Sequence, residues 1–252
     1  MMFTGISQAM AENRFPRAMI TFRFDDANTS QLGLIELINR KGMPATVFAI
    51  VGYAGRQPYL SMKELLDLQK KGNEVGSHSL THCRLTFTGK KRFLDETACS
   101  FLCLKENGIK CTSFAYPYGM TNPFFDSYVR KIYSQAADYP TVFSGDFNYP
   151  DSDIYRLTCH EALDAEDVQR LLDRAVSEKL WLVISFHWIR EGSHGFTVPM
   201  SVAGGIVEKI SDYRKKGLIE AVTMAGGAEK IRRIKEKKQN LQTEESTIVD
   251  YR

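Results

Sequence analysis

Two of the five histidines, His78 and His82, lie four residues apart in the stretch EVGSHSLTH, residues 74–82. That spacing places two imidazoles on one face of a helical turn, and two neutral imidazoles aimed at one point suit a divalent transition metal. Alone, such a pair more often marks polar loop surface, so partners elsewhere must decide. Asp25 and Asp26 close an apolar run, where a carboxylate pair is costly to bury without a metal or a base partner. An N-cap role accounts for one of them at most, and Asn28 or Thr29 is better placed for it. His187 ends a strongly apolar run, between Phe186 and Trp188. One carboxylate with two imidazoles makes three protein ligands with positions left open, the make-up of a catalytic metal centre. A second carboxylate can then act as base and a distant histidine as acid, which suffices for metal-assisted hydrolysis of an acyl bond.

These residues need a scaffold that brings them together. Apolar strand-like runs at 18–24, 45–50, 73–79, 111–117, 141–146, 180–188 and 219–224 alternate with helix-patterned segments at 31–42, 61–72, 90–108, 122–135, 164–179 and 199–217. Four of the six such segments end in a glycine just past a Lys or Asn, a helix C-cap signal. Strand–helix alternation implies a parallel sheet covered by helices. Even spacing and the lack of a phosphate-binding glycine loop after the first strand favour an α/β barrel over an open nucleotide-binding sheet. In such barrels functional residues cluster at the C-terminal strand ends. Those ends carry Asp25-Asp26, His78, Tyr116-Pro117-Tyr118-Gly119 and His187. One domain is expected over 18–228, after an extension at 1–17 and before a polar tail at 229–252.

Composition narrows the function classes. The 252 residues are 43% hydrophobic and 25% charged, as in ordinary globular proteins. A net charge of +3 gives no basis for nucleic-acid binding, and no apolar run is long enough to span a membrane. The first residues lack a basic head followed by an apolar stretch, and the five cysteines (83, 99, 103, 111 and 159) include no C-x-x-C pair. A reducing, cytoplasmic location is the resulting expectation.

The order FDD, HSLTH, FAYPYG and SFH resembles the polysaccharide deacetylases of the NodB-homology type, carbohydrate esterase family 4, over residues 18–225. The resemblance implies a distorted (β/α) barrel of about seven parallel strands. It also implies a divalent metal, Zn²⁺ first with Co²⁺, Ni²⁺ or Fe²⁺ as alternatives, and an N-acetylated carbohydrate substrate. Carried onto this chain, it makes Asp25 the base and Asp26 a metal ligand with His78 and His82. His187 becomes the acid, and the Tyr118 N–H an oxyanion donor. Tyr116 and Trp188 offer aromatic surface to a sugar ring.

The chain also departs from the family pattern. Ala115 stands where an arginine usually orients the base, so Arg156 is the candidate replacement, against a plainer role pairing with Asp151 or Asp153. Asp146 is the candidate partner for the acid histidine. Ser185 replaces a leucine of the acetyl pocket, and Ala27 replaces a glycine. Arg23 faces away from Phe22 and Phe24 and is expected to form a salt bridge outside the site. His160 reads as structural and His194 as an exposed loop residue. The loops at 53–60, 85–92 and 189–196 would set substrate length. Two other readings share the scaffold: a deacylase or deformylase of another small amide, and a catalytically weak carbohydrate-binding relative. A non-haem iron oxygenase fits the ligand set but not the strand–helix alternation.

Overall fold

The computed structural model describes residues 14–138, 146–162, 164–192 and 195–249. Its strands are β1 (Ala18–Phe24), β2 (Ala45–Ala49), β3 (Glu74–Ser77), β4 (Ser113–Ala115), β5 (Gln135–Ala137), β6 (Phe147–Asn148), β7 (His160–Glu161), β8 (Trp181–Phe186), β9 (Trp188–Ile189), β10 (Thr197–Val198) and β11 (Ile219–Ala221). The α-helices are α1 (Leu32–Arg40), α2 (Met62–Lys70), α3 (Lys90–Leu94), α4 (Ser100–Glu106), α5 (Pro123–Ile132), α6 (Ala165–Glu178), α7 (Met200–Lys215) and α8 (Met224–Val249).

The main sheet runs β5-β4-β3-β2-β1-β8 with every neighbour parallel, and β7 continues it on the upper half of β8. β11 pairs in parallel with the lower half of β1, whereas β6 is antiparallel to the lower half of β8. The sheet curls until β5 meets the chain leading into β7: Ala137 bridges Leu157, and the Asp138 N–H donates to the Leu157 carbonyl at 2.8 Å. This is the expected distorted barrel of seven parallel strands.

Alternation along the strands divides two cores. Ile20, Phe22 and Phe24 of β1, with Leu182, Ile184 and Phe186 of β8, face the helix layer. There they meet Leu34, Ile35 and Ile38, spaced to lie on one face of α1. Met19, Phe48, Ala115, Cys159, Trp181 and Val183 fill the lumen. Its lower end is closed by Trp181 beneath α8, where a Cβ at Gly227 would lie 2.3 Å from the indole. Its upper end holds the buried Arg23, Asp25 and Ser185.

Two local expectations change. Gln135, placed by sequence in the helix before it, lies in β5, because α5 ends where Tyr133 turns extended and buries its ring. The helix expected over 90–108 is interrupted by a π-turn at Asp95–Cys99, which turns Glu96 inward. Residues 141–145 of an expected strand, and His194, lie outside the described residues.

Candidate metal centre and active site

The chain reverses sharply at the top of β1, β3 and β4. Among the described residues six non-glycines have positive φ, and five of them sit in these turns: Asp26, Ala27, Ser79, His82 and Tyr118. Backbone in the left-handed region is unfavourable for residues with a Cβ and persists where surrounding contacts impose it. Here the imposed contacts are visible. Gln31 Nε2 donates to the carbonyls of Asp25 and His187 at 2.6 and 2.7 Å, and Asn28 Nδ2 also donates to the His187 carbonyl. These amides tie the end of β1 to the end of β8. Asn28 also accepts from the Ser30 N–H as an N-cap, leaving both aspartates to the site.

His78 and His82 converge by a route other than the expected helical turn. Residues 78–82 form a loop with left-handed residues at Ser79 and His82. Ser79 Oγ accepts the His82 N–H at 2.9 Å. The buried Glu96 carboxylate accepts the Leu80 and Thr81 N–H groups and the Thr81 hydroxyl. Gly52 lets a neighbouring turn approach, since a Cβ there would lie 2.5 Å from the Leu80 carbonyl oxygen. The loop's register is therefore fixed from two sides.

The resulting cluster fits a metal. His78 Nε2 and His82 Nε2 lie 3.2 Å apart, and Asp26 Oδ1 is 3.8 and 3.6 Å from them. Donors about 2.0–2.2 Å from a tetrahedral ion are separated by roughly 3.3–3.6 Å. His78 Nδ1 is 2.8 Å from the Ala115 carbonyl, so it carries the proton and leaves Nε2 as a lone-pair donor. Asp26 Oδ1 is buried with no hydrogen-bond partner, an orphan that a cation would satisfy. Burial, then the neighbouring His78, pushes the His82 imidazole down to about 4, so it is neutral and ready to ligate at ordinary pH.

Across the same cavity lies a second pair of titrating groups. Asp25 is held by Arg23, whose Nε and Nη2 donate to Oδ1 and Oδ2, each at 2.8 Å. Arg23 Nη1 also reaches the Asp138 carbonyl at 3.1 Å and Cys159 Sγ at 3.0 Å, and the guanidinium lies over the Phe48 ring. Burial pushes the Asp25 carboxyl up, but Arg23, His78 and His187 together overcome it and hold it at about 2. Asp25 Oδ2 is 3.7 Å from His187 Nε2, and His187 Nδ1 is 2.5 Å from Glu161 Oε1. Burial alone would lower His187; its hydrogen bond to Glu161 and the nearby Asp25 reverse this and raise it to about 9.

The structure thus brings Asp25, Asp26, His78, His82, Tyr116, Tyr118, His187 and Trp188 around one cavity of about 300 Å³. Phe196, which sequence reasoning missed, joins them by stacking on His187 with ring centroids 4.9 Å apart.

Other expectations are corrected. Arg23 does point away from Phe22 and Phe24, but that side is the lumen, and its salt bridge is to Asp25 within the site. Among the described residues the Arg156 guanidinium pairs with neither Asp25 nor the Asp153 carboxylate, which Arg130 holds. It binds Asp126 and Asp138, and Asp126 accepts the Tyr116 hydroxyl at 3.0 Å, so Arg156 braces the Tyr116 turn. Asp146 contacts His160, which also meets Asp167 at 2.8 Å. His160 and the next residue, Glu161, point to opposite sides of β7, so the carboxylate facing His187 is Glu161. A signal existed: Glu161 is a lone acid in the apolar run CHEAL. Ser185 does not line the cavity; it is fully buried in the lumen beside Cys159.

Known proteins share the sequence pattern and the fold. The family model for polysaccharide deacetylase matches residues 12–138, half of the chain. No curated protein matches it. Among solved structures, the peptidoglycan deacetylase PdaC from Bacillus subtilis is similar over 90% of this chain and 98% of its own, at 19% identity and a TM-score of 0.56. The Xyl-CE4 domain of a multidomain xylanase from the hindgut metagenome of Trinervitermes trinervoides is similar over 88% of this chain and 92% of its own, at 18% identity and a TM-score of 0.56. A family 4 carbohydrate esterase from Streptomyces lividans, in complex with acetate, matches over 80% and 90%, at 18% identity and a TM-score of 0.52. At such identities the likeness is one of fold. Among the described residues no helix is long and apolar enough to cross a membrane. With the family model spanning half the sequence and an Asp-His-His cluster able to hold a divalent metal, the chain belongs to the polysaccharide deacetylase family, the NodB-homology group of carbohydrate esterase family 4.

Proposed function

We propose that this protein is a Zn²⁺-dependent hydrolase that removes N-acetyl groups from N-acetylated amino sugars. The observation that carries the reading is one cavity with two kinds of histidine: His82 kept neutral beside Asp26 and His78, and His187 kept protonated beside Asp25. Asp26, His78 and His82 would hold the ion. Bound there, it supplies Lewis-acid polarisation of the amide carbonyl and lowers the pKa of water.

The rest of the chemistry belongs to the chain. Asp25, oriented by the Arg23 fork, takes the proton from the attacking water through the oxygen facing His187. His187, oriented and kept cationic by Glu161, gives the Nε2 proton to the leaving amine as the carbon–nitrogen bond breaks. Pro117 and the left-handed Tyr118 form the turn from which the Tyr118 N–H stabilises the developing oxyanion. Tyr116, Trp188 and Phe196 give the sugar ring an apolar bed that limits water.

The test is acetate release from short N-acetylglucosamine oligomers. The protein is stripped with chelator and resupplied with Zn²⁺ or Co²⁺, with Asp25→Ala and His78→Ala as controls. Release that returns with metal and is lost in both variants is expected. Metal uptake without acetate release would refute deacetylation of neutral amino-sugar oligomers.

A further inference from the structure

The mouth of the cavity carries two charges that the reaction above leaves unused. Arg84 lays its guanidinium over the Tyr118 ring, Cζ 5.2 Å from the centroid, and that ring is 4.7 Å from the His82 ring. Arg190 lies over Trp188 at 4.7 Å. Tyr118 follows β4 and Trp188 follows β8, and β3, β2 and β1 separate these strands in the sheet, so the two arginines flank the cavity from different sides.

Among the described residues neither has an acidic partner, which sets them apart. Among the described residues five arginines stack on aromatic rings. Arg23, Arg130 and Arg174 each also hold a carboxylate, on Asp25, Asp153 and Glu178. Arg84 and Arg190 are exposed, and neither forms an ion pair with a described residue. Stacking holds the flat face of a guanidinium and leaves its N–H edge free, the edge that grips carboxylate or phosphate bidentately. A neutral acetamido sugar offers that edge no matching charge.

We infer that the preferred substrate is an N-acylated amino sugar bearing an anionic group, carboxylate or phosphate, which Arg84 and Arg190 bind at the cavity mouth. The inference rests on the deacetylase reading and specifies its substrate class.

The experiment compares N-acetylglucosamine, N-acetylglucosamine 6-phosphate and N-acetylmuramic acid on the metal-loaded protein. At least one anionic sugar should exceed the neutral one by about tenfold in kcat/KM at low salt, as one charge-assisted contact warrants. The advantage should shrink as salt rises and disappear when Arg84→Gln and Arg190→Gln are combined. Which anion wins identifies the group recognised. Equal kcat/KM for all three, or a preference that survives both substitutions, would overturn the inference. Should no sugar release acetate, the deacetylase reading has failed, and calorimetric binding of the same three sugars decides. An arginine-dependent preference for an anion upholds the rim's role; no such preference overturns it.

Discussion

His82 and His187 face one cavity, yet their surroundings drive them in opposite directions. Burial beside His78 lowers His82 to about 4; Glu161 and Asp25 overcome burial and raise His187 to about 9. One ring is a lone-pair donor and the other a proton donor over the same broad pH range. The lesson is that the site's division of labour lies in the partners of each imidazole. Glu96 shapes the metal side by fixing the loop backbone, whereas Glu161 acts on the acid side by touching the ring itself.

The sharpest way to break this contrast is to remove Arg23. Arg23→Gln leaves Asp25 buried without its cation, and such a loss typically costs about 3–5 kcal/mol. Chemical denaturation should show that loss, and metal titration should show the Asp26–His78–His82 site still competent in the folded fraction. Arg23→Lys keeps the charge without the fork and should recover part of the stability.

The next test separates the halves. Glu96→Gln should weaken Zn²⁺ binding by about 10–100-fold while leaving the alkaline limb of the pH–rate profile in place. Glu161→Gln should do the converse. On the proposed mechanism His187 must be protonated, so wild-type activity should fall as pH rises through about 9. In Glu161→Gln that limb should move down by about 1–2 pH units, with Zn²⁺ affinity retained.

Stability obeys the same signs. The raised pKa of His187 contributes stability that is complete below about pH 6.5 and is lost as pH rises through about 9. For His82 the unfolded chain takes up the proton first, so stability falls as pH drops from about 6.5 towards about 4. The smallest effect is expected at Ala27, buried at φ 56°. Ala27→Gly removes left-handed strain but loosens the unfolded chain, for a net gain of at most about 1 kcal/mol, a rise of about 2–4 °C in Tm.

The residues gathered around the cavity were legible in sequence because Asp25, Asp26, His78 and His187 sit at or just past strand ends, as polar interruptions of apolar patterning. The residues that tune them were less so. Arg23 was read as facing away from the site because alternation gives the side of a strand, not whether that side is solvent or lumen. For Arg156 and Asp146 the sequence shows the charge but not its partner across the fold: Arg156 meets Asp126 and Asp138, Asp146 meets His160, and β7 presents Glu161 to His187. The His78–His82 turn looked helical by spacing alone, and only tertiary contacts with Glu96 and Gly52 produce the left-handed loop. The barrel survived these errors because strand–helix alternation and glycine C-caps are local signals.

The central claim is best tested by ring-nitrogen NMR of the metal-free protein across a pH titration, with His82 and His187 assigned by substitution. The account predicts His187 protonated through pH 8 and titrating near 9, with His82 neutral down to about pH 5 and titrating near 4. Two histidines titrating together near their ordinary value of about 6.5 would contradict it.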